Sequence, residues 1–324
     1  MNNYKIIACD MDETLLSSDA TICQRNIEAI AKAVEKGVKF VPCTGRGFRS
    51  IDGVLKTLHL FEQPDQYVIG FNGGNITENK GSRSLFWDPI PFDLADQIFR
   101  KCCTYGQCLH IYTRDVVYIT NITPDEEAFL KGRMGYVPCE EQTLDFIRGK
   151  EEVSKLILTN TDYDYLEKVH ADMKPLLDDI TVSFSSNRYI EFMHKGVNKG
   201  AGLLKLADIL GVRPEETMAI GDNINDIDML KAAGLSIGVR NLNPAIRQYC
   251  DVVTRCYQQR RRRSRSHRKI RLISDRSLVC LAGGANFQYD KSRLQKGKSC
   301  LTGNRQQEQA YELYRSNLKI TEWQ

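Results

Sequence analysis

The feature that most constrains this chain is the alternation of short apolar runs with amphipathic stretches over residues 4–71. Residues 4–9 are apolar and strand-like. Ile27, Ile30, Ala31 and Val34 then recur at the i, i+3, i+4, i+7 spacing of one helix face, and Gly37 offers a helix stop. Residues 38–41 read as the next strand, 47–58 as the next helix and 67–71 as a third strand. A β-α-β-α-β order requires crossover connections and so predicts a parallel sheet. The pattern resumes at Lys199, with a Leu-rich helix to Leu210, a strand at 218–220, a helix at 227–232 and a strand at 235–237. Between them, hairpin-like pairs at 111–112 with 118–119 and at 181–184 with 189–192 predict an α+β insertion. The expected architecture is α/β: a doubly wound, mainly parallel, Rossmann-like core from residues 1–82 and 195–257, interrupted by an α+β domain over 83–194.

With 324 residues, 42% hydrophobic and 27% charged, the chain is long enough for about two domains and needs neither disulfides nor structural metal to fold. No apolar run approaches the roughly 18 residues of a membrane span. The start passes directly into a strand with no signal-like segment, so a cytoplasmic location is expected. The 11 cysteines are scattered without a Cys-x-x-Cys pair, and Cys9 and Cys43 lie inside apolar runs, as buried thiols do. The 5 histidines show no metal-ligand spacing.

Charge is divided unevenly. Residues 258–324 hold 16 Lys and Arg against 5 Asp and Glu, leaving 29 against 36 in residues 1–257. The break falls at the run Arg260-Arg261-Arg262-Arg263-Ser264-Arg265. Such a run reads either as a nucleic-acid arm or as a solvated tail. It lacks interleaved aromatics and a recognisable domain, so residues 258–324 are expected to be a disordered tail or a frameshifted reading, with no specific nucleic-acid partner.

Open α/β sheets bind ligands beyond the carboxyl ends of their strands. Four polar clusters occupy such places: Asp10-Met11-Asp12-Glu13-Thr14, Thr44-Gly45-Arg46, Asn72-Gly73-Gly74 and Gly221-Asp222-Asn223-Ile224-Asn225-Asp226. In a loop leaving a strand, the spacing of Asp10 and Asp12 lets two carboxylates approach one centre, where oxygen-only ligands suit a hard cation such as Mg²⁺. Asp222, Asn223 and Asp226 could complete that site. Taken singly, each cluster reads equally well as helix caps, for which Asp, Asn and Thr are common choices.

Taken together and in order, Asp-x-Asp-x-Thr after the first strand, a small hydroxyl after the second, Lys199 opening a later helix and Gly-Asp-x-x-x-Asp after a further strand resemble the haloacid dehalogenase superfamily. The long insertion between Thr44 and Lys199 and the phrase from Glu191 to Gly200 resemble its Cof-type sugar-phosphatase subgroup, over about residues 4–257. The resemblance implies a magnesium-dependent phosphatase acting on a small phosphorylated metabolite such as a sugar phosphate. Asp10 would be the nucleophile and Asp12 the general acid and base. Met11, Thr44, the Gly45 amide, Lys199 and Asn225 would bind phosphate or substrate. Asp10, Asp12, Asp222 and Asn223 would hold Mg²⁺, with Asp226 in support. The insertion would be a cap shaping the leaving-group pocket, with His110, Arg188, Tyr189 and Glu191 as candidate lining residues. One position departs from the pattern: Glu13 stands where the family usually has Gly.

Three other readings are weaker. A phosphotransferase or phosphomutase would use the same residues. Gly45-Arg46-Gly47 suggests a dinucleotide site, but Ser50 occupies the third glycine position. A nucleic-acid-binding protein would have to act through the tail alone.

Overall fold

The computed structural model of the chain describes residues 4–254. The basic tail from residue 258, with its expected disorder or frameshift, lies outside the described residues. Among the described residues no helix is long and apolar enough to cross a membrane. They divide into two compact units, one running up to Phe40 and resuming at Val212, the other Val41–Gly211.

In chain order the strands are β1 (Ile6–Asp10), β2 (Lys39–Cys43), β3 (Tyr67–Gly70), β4 (Asn75–Glu78), β5 (Arg83–Trp87), β6 (Cys108–Thr113) and β7 (Val117–Thr120). They continue with β8 (Val137–Pro138), β9 (Val153–Thr159), β10 (Ile180–Ser185), β11 (Tyr189–His194), β12 (Thr217–Gly221), β13 (Leu235–Gly238) and β14 (Val252–Val253). The helices are α1 (Gln24–Glu35), α2 (Asp52–Thr57), α3 (Phe92–Cys103), α4 (Pro124–Leu130), α5 (Tyr163–Met173), α6 (Lys199–Ile209) and α7 (Ile227–Ala232).

In the first unit, four strands pair in parallel in the order β14-β13-β12-β1. Every residue of β1 and β12 is buried, which is why both read as unbroken apolar runs rather than as an alternation. Helix α1 buries Asn26, Ala29, Ile30 and Ala33. This is the expected stripe turned back by one residue, and Ile30 alone is common to both. Gly37 ends the helix as expected: at φ +83° it takes the left-handed conformation, and its N–H donates to the Val34 carbonyl at 2.8 Å.

In the second unit, β2 and β3 pair in parallel through Cys43 and Ile69, and β4 and β5 add antiparallel strands. The helix expected over 47–58 is a 3₁₀ turn, Phe48–Ile51, followed by the short α2. The expected α+β insertion holds a six-stranded sheet in the order β10-β11-β9-β6-β7-β8, including both predicted hairpins. One face of it packs on α3 and α5, where Leu109, Ile111, Leu156, Leu158, Ile190 and Phe192 share a core with Ile98, Phe99, Leu166 and Val169. Strand alternation therefore turns His110, Tyr112, Lys155, Ile157, Tyr189 and Glu191 to the other face. There Phe71, from the loop after β3, packs with Tyr112, Ile157 and Tyr189.

Candidate active site

Two polar assemblies take shape, one in each unit. In the first unit, β1 and β12 lie side by side in register, Cys9 opposite Ile220, so both chains leave the sheet at neighbouring carboxyl ends. This brings the carboxylates of Asp10, Asp222 and Asp226 together, with oxygens within 4.8 Å of one another and all three residues buried. Buried like charges at that spacing repel, and an all-oxygen donor set fits a hard divalent cation that would relieve the repulsion.

The supports of the cluster are local. Thr14, fully buried, donates its hydroxyl to Asp222 Oδ1 at 2.9 Å. Asp226 Oδ2 accepts the main-chain N–H of Asp222 at 2.9 Å and of Asn223 at 3.1 Å. Gly221 makes that arrangement possible: a Cβ there would lie 2.7 Å from both Asp226 Cγ and Oδ2. Asn223 accepts from the Ile224 N–H and from Asn243 Nδ2 through its Oδ1, so it caps the turn as well as bordering the cluster. Asn225 is half-buried beside them.

After β1 the chain folds over Met11, whose carbonyl accepts from the N–H groups of Leu15 at 3.0 Å and Leu16 at 2.8 Å. Met11 is buried and Asp12 exposed at the outside of this turn. The carboxylate cluster thus contains Asp10, Asp222 and Asp226, the last more central than the sequence suggested, while the Asp12 carboxylate is not among its members. Glu13 sits at φ +60°, the region that a glycine enters freely, and its carbonyl accepts from Asn241 Nδ2 at 2.8 Å. The backbone conformation that favours Gly is therefore retained with a glutamate in place.

In the second unit, Thr44 is buried at the end of β2, and its hydroxyl accepts the Arg46 N–H at 3.1 Å. The Asn72 N–H donates to the Thr44 carbonyl at 2.9 Å, tying together the loops that follow β2 and β3. Lys199 opens α6 and is 1% exposed, with Asn198 Oδ1 capping the helix through the Ala201 N–H at 2.8 Å. The start of α6 is held against the loop after β3 by an approach that excludes side chains. A Cβ on Gly73 would meet the Asn198 carbonyl oxygen at 2.2 Å, and one on Gly202 the Gly73 α-carbon at 2.8 Å.

The face of the six-stranded sheet turned away from α3 and α5 carries two buried polar groups. In one, Glu126 Oε1 accepts the Tyr189 hydroxyl at 2.5 Å and lies 3.4 Å from His110 Nε2, while Arg188 Nε lies 3.3 Å from Oε2. Burial pushes the Glu126 carboxyl up, but the Tyr189 hydroxyl and the neighbouring His110 and Arg188 side chains outweigh it and hold it below the ordinary range. In the other, Glu191 accepts from Lys155 Nζ at 2.6 Å, from Asn72 Nδ2 at 3.0 Å and from the Ser185 hydroxyl. Burial again opposes ionisation, and Lys155 with these donors overcomes it, so this carboxyl too lies below its usual value. The four lining candidates His110, Arg188, Tyr189 and Glu191 are thus brought to one face, split between two carboxylates.

Sequence reasoning missed Glu126 and Lys155. Glu126 hides in a Thr-x-x-Glu pattern that reads as a capping box. Thr123 does cap α4, but the glutamate turns inward instead. Lys155 left a signal, being the one charged residue inside the apolar run of β9.

A model of the haloacid dehalogenase-like hydrolase family matches residues 7–260. The Bacillus subtilis protein YxeH is 26% identical over 252 residues, covering 78% of this chain and 93% of that one. The 5-amino-6-(5-phospho-D-ribitylamino)uracil phosphatase YwtE of the same organism is 27% identical over 275 residues, with 78% and 93% covered. Among solved structures, a haloacid dehalogenase-like hydrolase from Bacteroides thetaiotaomicron superposes with a TM-score of 0.67 at 26% identity, covering 78% of this chain and 94% of the other. The chain belongs to the haloacid dehalogenase-like hydrolase family and is one of its Cof-type phosphatases.

Proposed function

We propose that the chain hydrolyses small phosphomonoesters, sugar phosphates or close relatives, through an aspartyl-phosphate on Asp10 with Mg²⁺ as cofactor. The observation that carries this reading is the meeting of three buried carboxylates, Asp10, Asp222 and Asp226, at the ends of two neighbouring parallel strands. A carboxylate oxygen of Asp10 attacks phosphorus as the bond from phosphorus to the leaving oxygen breaks, and Asp12 gives that oxygen its proton. Asp12, now a base, takes a proton from water; the water oxygen attacks phosphorus, and the bond to Asp10 breaks to release phosphate. An exposed position suits Asp12 to this exchange of protons.

Met11, Thr44, the Gly45 amide, Lys199 and Asn225 are assigned to phosphate or substrate binding. Phosphoryl transfer depends chiefly on such positioning and charge neutralisation. Asp10, Asp222 and Asn223, with the carbonyl or carboxylate of Asp12, would hold Mg²⁺, with Asp226 fixing the turn. The cation would supply neutralisation of the phosphoryl charge. Residues 83–194 are assigned to the cap, and the location to the cytoplasm.

The test is Asp10→Asn, which keeps size and removes the nucleophile. Hydrolysis of p-nitrophenyl phosphate should fall on the order of 10³-fold or more, and chelation of the wild type should abolish activity that added Mg²⁺ restores. Near-wild-type turnover by the variant would refute the mechanism.

A further inference from the structure

The loop after β3 holds a strain that phosphoryl transfer by itself does not require. Phe71 at φ +48° and Asn72 at φ +55° are successive non-glycine residues in the left-handed region, and both are buried. Such a conformation is unfavourable and persists only where its surroundings enforce it. Contacts on two sides do so. Toward the end of β2, the Phe71 N–H donates to the Arg46 carbonyl at 3.1 Å and the Asn72 N–H to the Thr44 carbonyl at 2.9 Å. The side chains press on the same segment: a Cβ on Gly47 would lie 2.8 Å from Phe71 Cζ, and one on Gly45 3.0 Å from Asn72 Oδ1. Toward the six-stranded sheet, Phe71 meets the Tyr112 ring at 6.3 Å between centroids, and Asn72 Nδ2 donates to Glu191 Oε2 at 3.0 Å. The next residue, Gly73, is the one pressed against the start of α6.

This short loop therefore borders both places in the second unit that the proposed function gives to phosphate, the Thr44-Gly45 pair and the helix opened by Lys199. Its tie to the sheet is a strong one. Hydrogen bonds to an ionised acceptor are shorter and stronger than neutral ones, and the Glu191 carboxylate is itself fixed by Lys155 Nζ at 2.6 Å and by the Ser185 hydroxyl. An amide anchored at one end and packed against Gly45 at the other determines where the Gly45 main chain lies. Displacement of a positioning group by about 1 Å can cost about 100-fold in rate, so a tie of this kind has a kinetic consequence.

We propose that Asn72 is a positioning residue for the Thr44-Gly45 phosphate loop, anchored to the six-stranded sheet through Glu191. It acts through Thr44 and Gly45 rather than on the substrate. This rests on the proposed phosphatase reading and adds to it that phosphate affinity depends on a carboxylate of the inserted domain.

The experiment measures inhibition by inorganic phosphate of p-nitrophenyl phosphate hydrolysis, with Mg²⁺ present and at a temperature where circular dichroism shows each variant folded. Asn72→Gly suits the left-handed backbone, keeps the N–H that bonds Thr44, and removes only the side chain. Its Ki for phosphate and its KM should rise about 10-fold or more, with a smaller change in kcat. A merely structural contact would lower Tm and leave Ki unmoved. Two double variants isolate the anchor without differing in charge: Lys155→Met with Glu191→Gln keeps an acceptor for Asn72, and Lys155→Met with Glu191→Met removes it. The first should bind phosphate about 10-fold more tightly than the second. A Ki in Asn72→Gly within about 2-fold of the wild type, or equal Ki values in the two double variants, would overturn the proposal. If Asn72→Gly does not fold, the double variants decide; if none of the three folds, the contact is structural and the proposal fails. A wild type that does not hydrolyse the ester at all would instead refute the phosphatase reading.

Discussion

Replacing Gly221 with Ala tests whether the carboxylate cluster depends on the close approach of Asp226 to the end of β12. The new Cβ would sit 2.7 Å from Asp226 Cγ and Oδ2, well inside contact distance, and the carboxylate belongs to a fully buried residue with little room to withdraw. Its displacement breaks the hydrogen bonds from the Asp222 and Asn223 N–H groups. Hydrogen bonds to a charged acceptor are worth about 1.5–3 kcal/mol each, so the loss is about 3–6 kcal/mol before relaxation. Against a total stability of about 5–15 kcal/mol this is large. At about 2–4 °C per kcal/mol for a protein of this size, a net loss of about 3 kcal/mol lowers Tm by about 6–12 °C. Thermal unfolding followed by circular dichroism measures it, and hydrolysis of p-nitrophenyl phosphate reads the accompanying disorder of Asp222. Gly53→Ala is the control: it lies in α2 with nothing within 4 Å of the new Cβ, and should stabilise by about 0.5–1 kcal/mol as alanine does in helices. If Gly221→Ala melts within about 2 °C of the wild type and keeps full activity, the steric argument is wrong.

Asp12→Asn should reduce hydrolysis of an alkyl phosphate far more than that of p-nitrophenyl phosphate, whose leaving group needs little protonation; equal losses would assign Asp12 a structural role. Glu13→Gly should raise stability by about 0.5 kcal/mol, because relief of a left-handed conformation worth about 1 kcal/mol exceeds the added entropy of an unfolded glycine; a lower urea midpoint would refute this. Glu191 has a folded pKa below its unfolded one, so its contribution is complete above the unfolded value and is lost as pH falls through the folded value. Stability curves against pH should therefore steepen on the acid side in the wild type and flatten in Glu191→Gln, and curves of equal slope would show that the carboxyl does not carry the acid loss.

Much of the architecture was legible before any coordinates, because hydrophobic period and strand-end chemistry are local properties. The fully buried runs of β1 and β12, the stop at Gly37, both hairpins of the insertion and the acidic loops at Asp10 and Asp222 all follow from neighbouring residues. Local pattern misjudged the details that packing decides. Two overlapping stripes on α1 share Ile30, and which one turns inward depends on what the helix meets. The 47–58 segment has a helical pattern but begins as a 3₁₀ turn, with Phe48 and Ile51 buried.

The sequence by itself determined the order of strands and helices and the residue types at their ends, since these rest on periodicity and on the chemistry of single side chains. Only the tertiary structure decided which groups meet. The register of β1 with β12 brings Asp10 to Asp222 and Asp226, which lie more than 200 residues further along the chain. The missing Cβ of Gly221 lets Asp226 into that group, and the pleat of β9 and β11 turns Lys155 and Glu191 to the face where Asn72 lies. A capping pattern could equally have left Glu126 in solvent, and Lys155 could have marked an exposed strand edge. Their meaning is set by burial, because a charge withdrawn from water must find a partner, and the partner is supplied by folding.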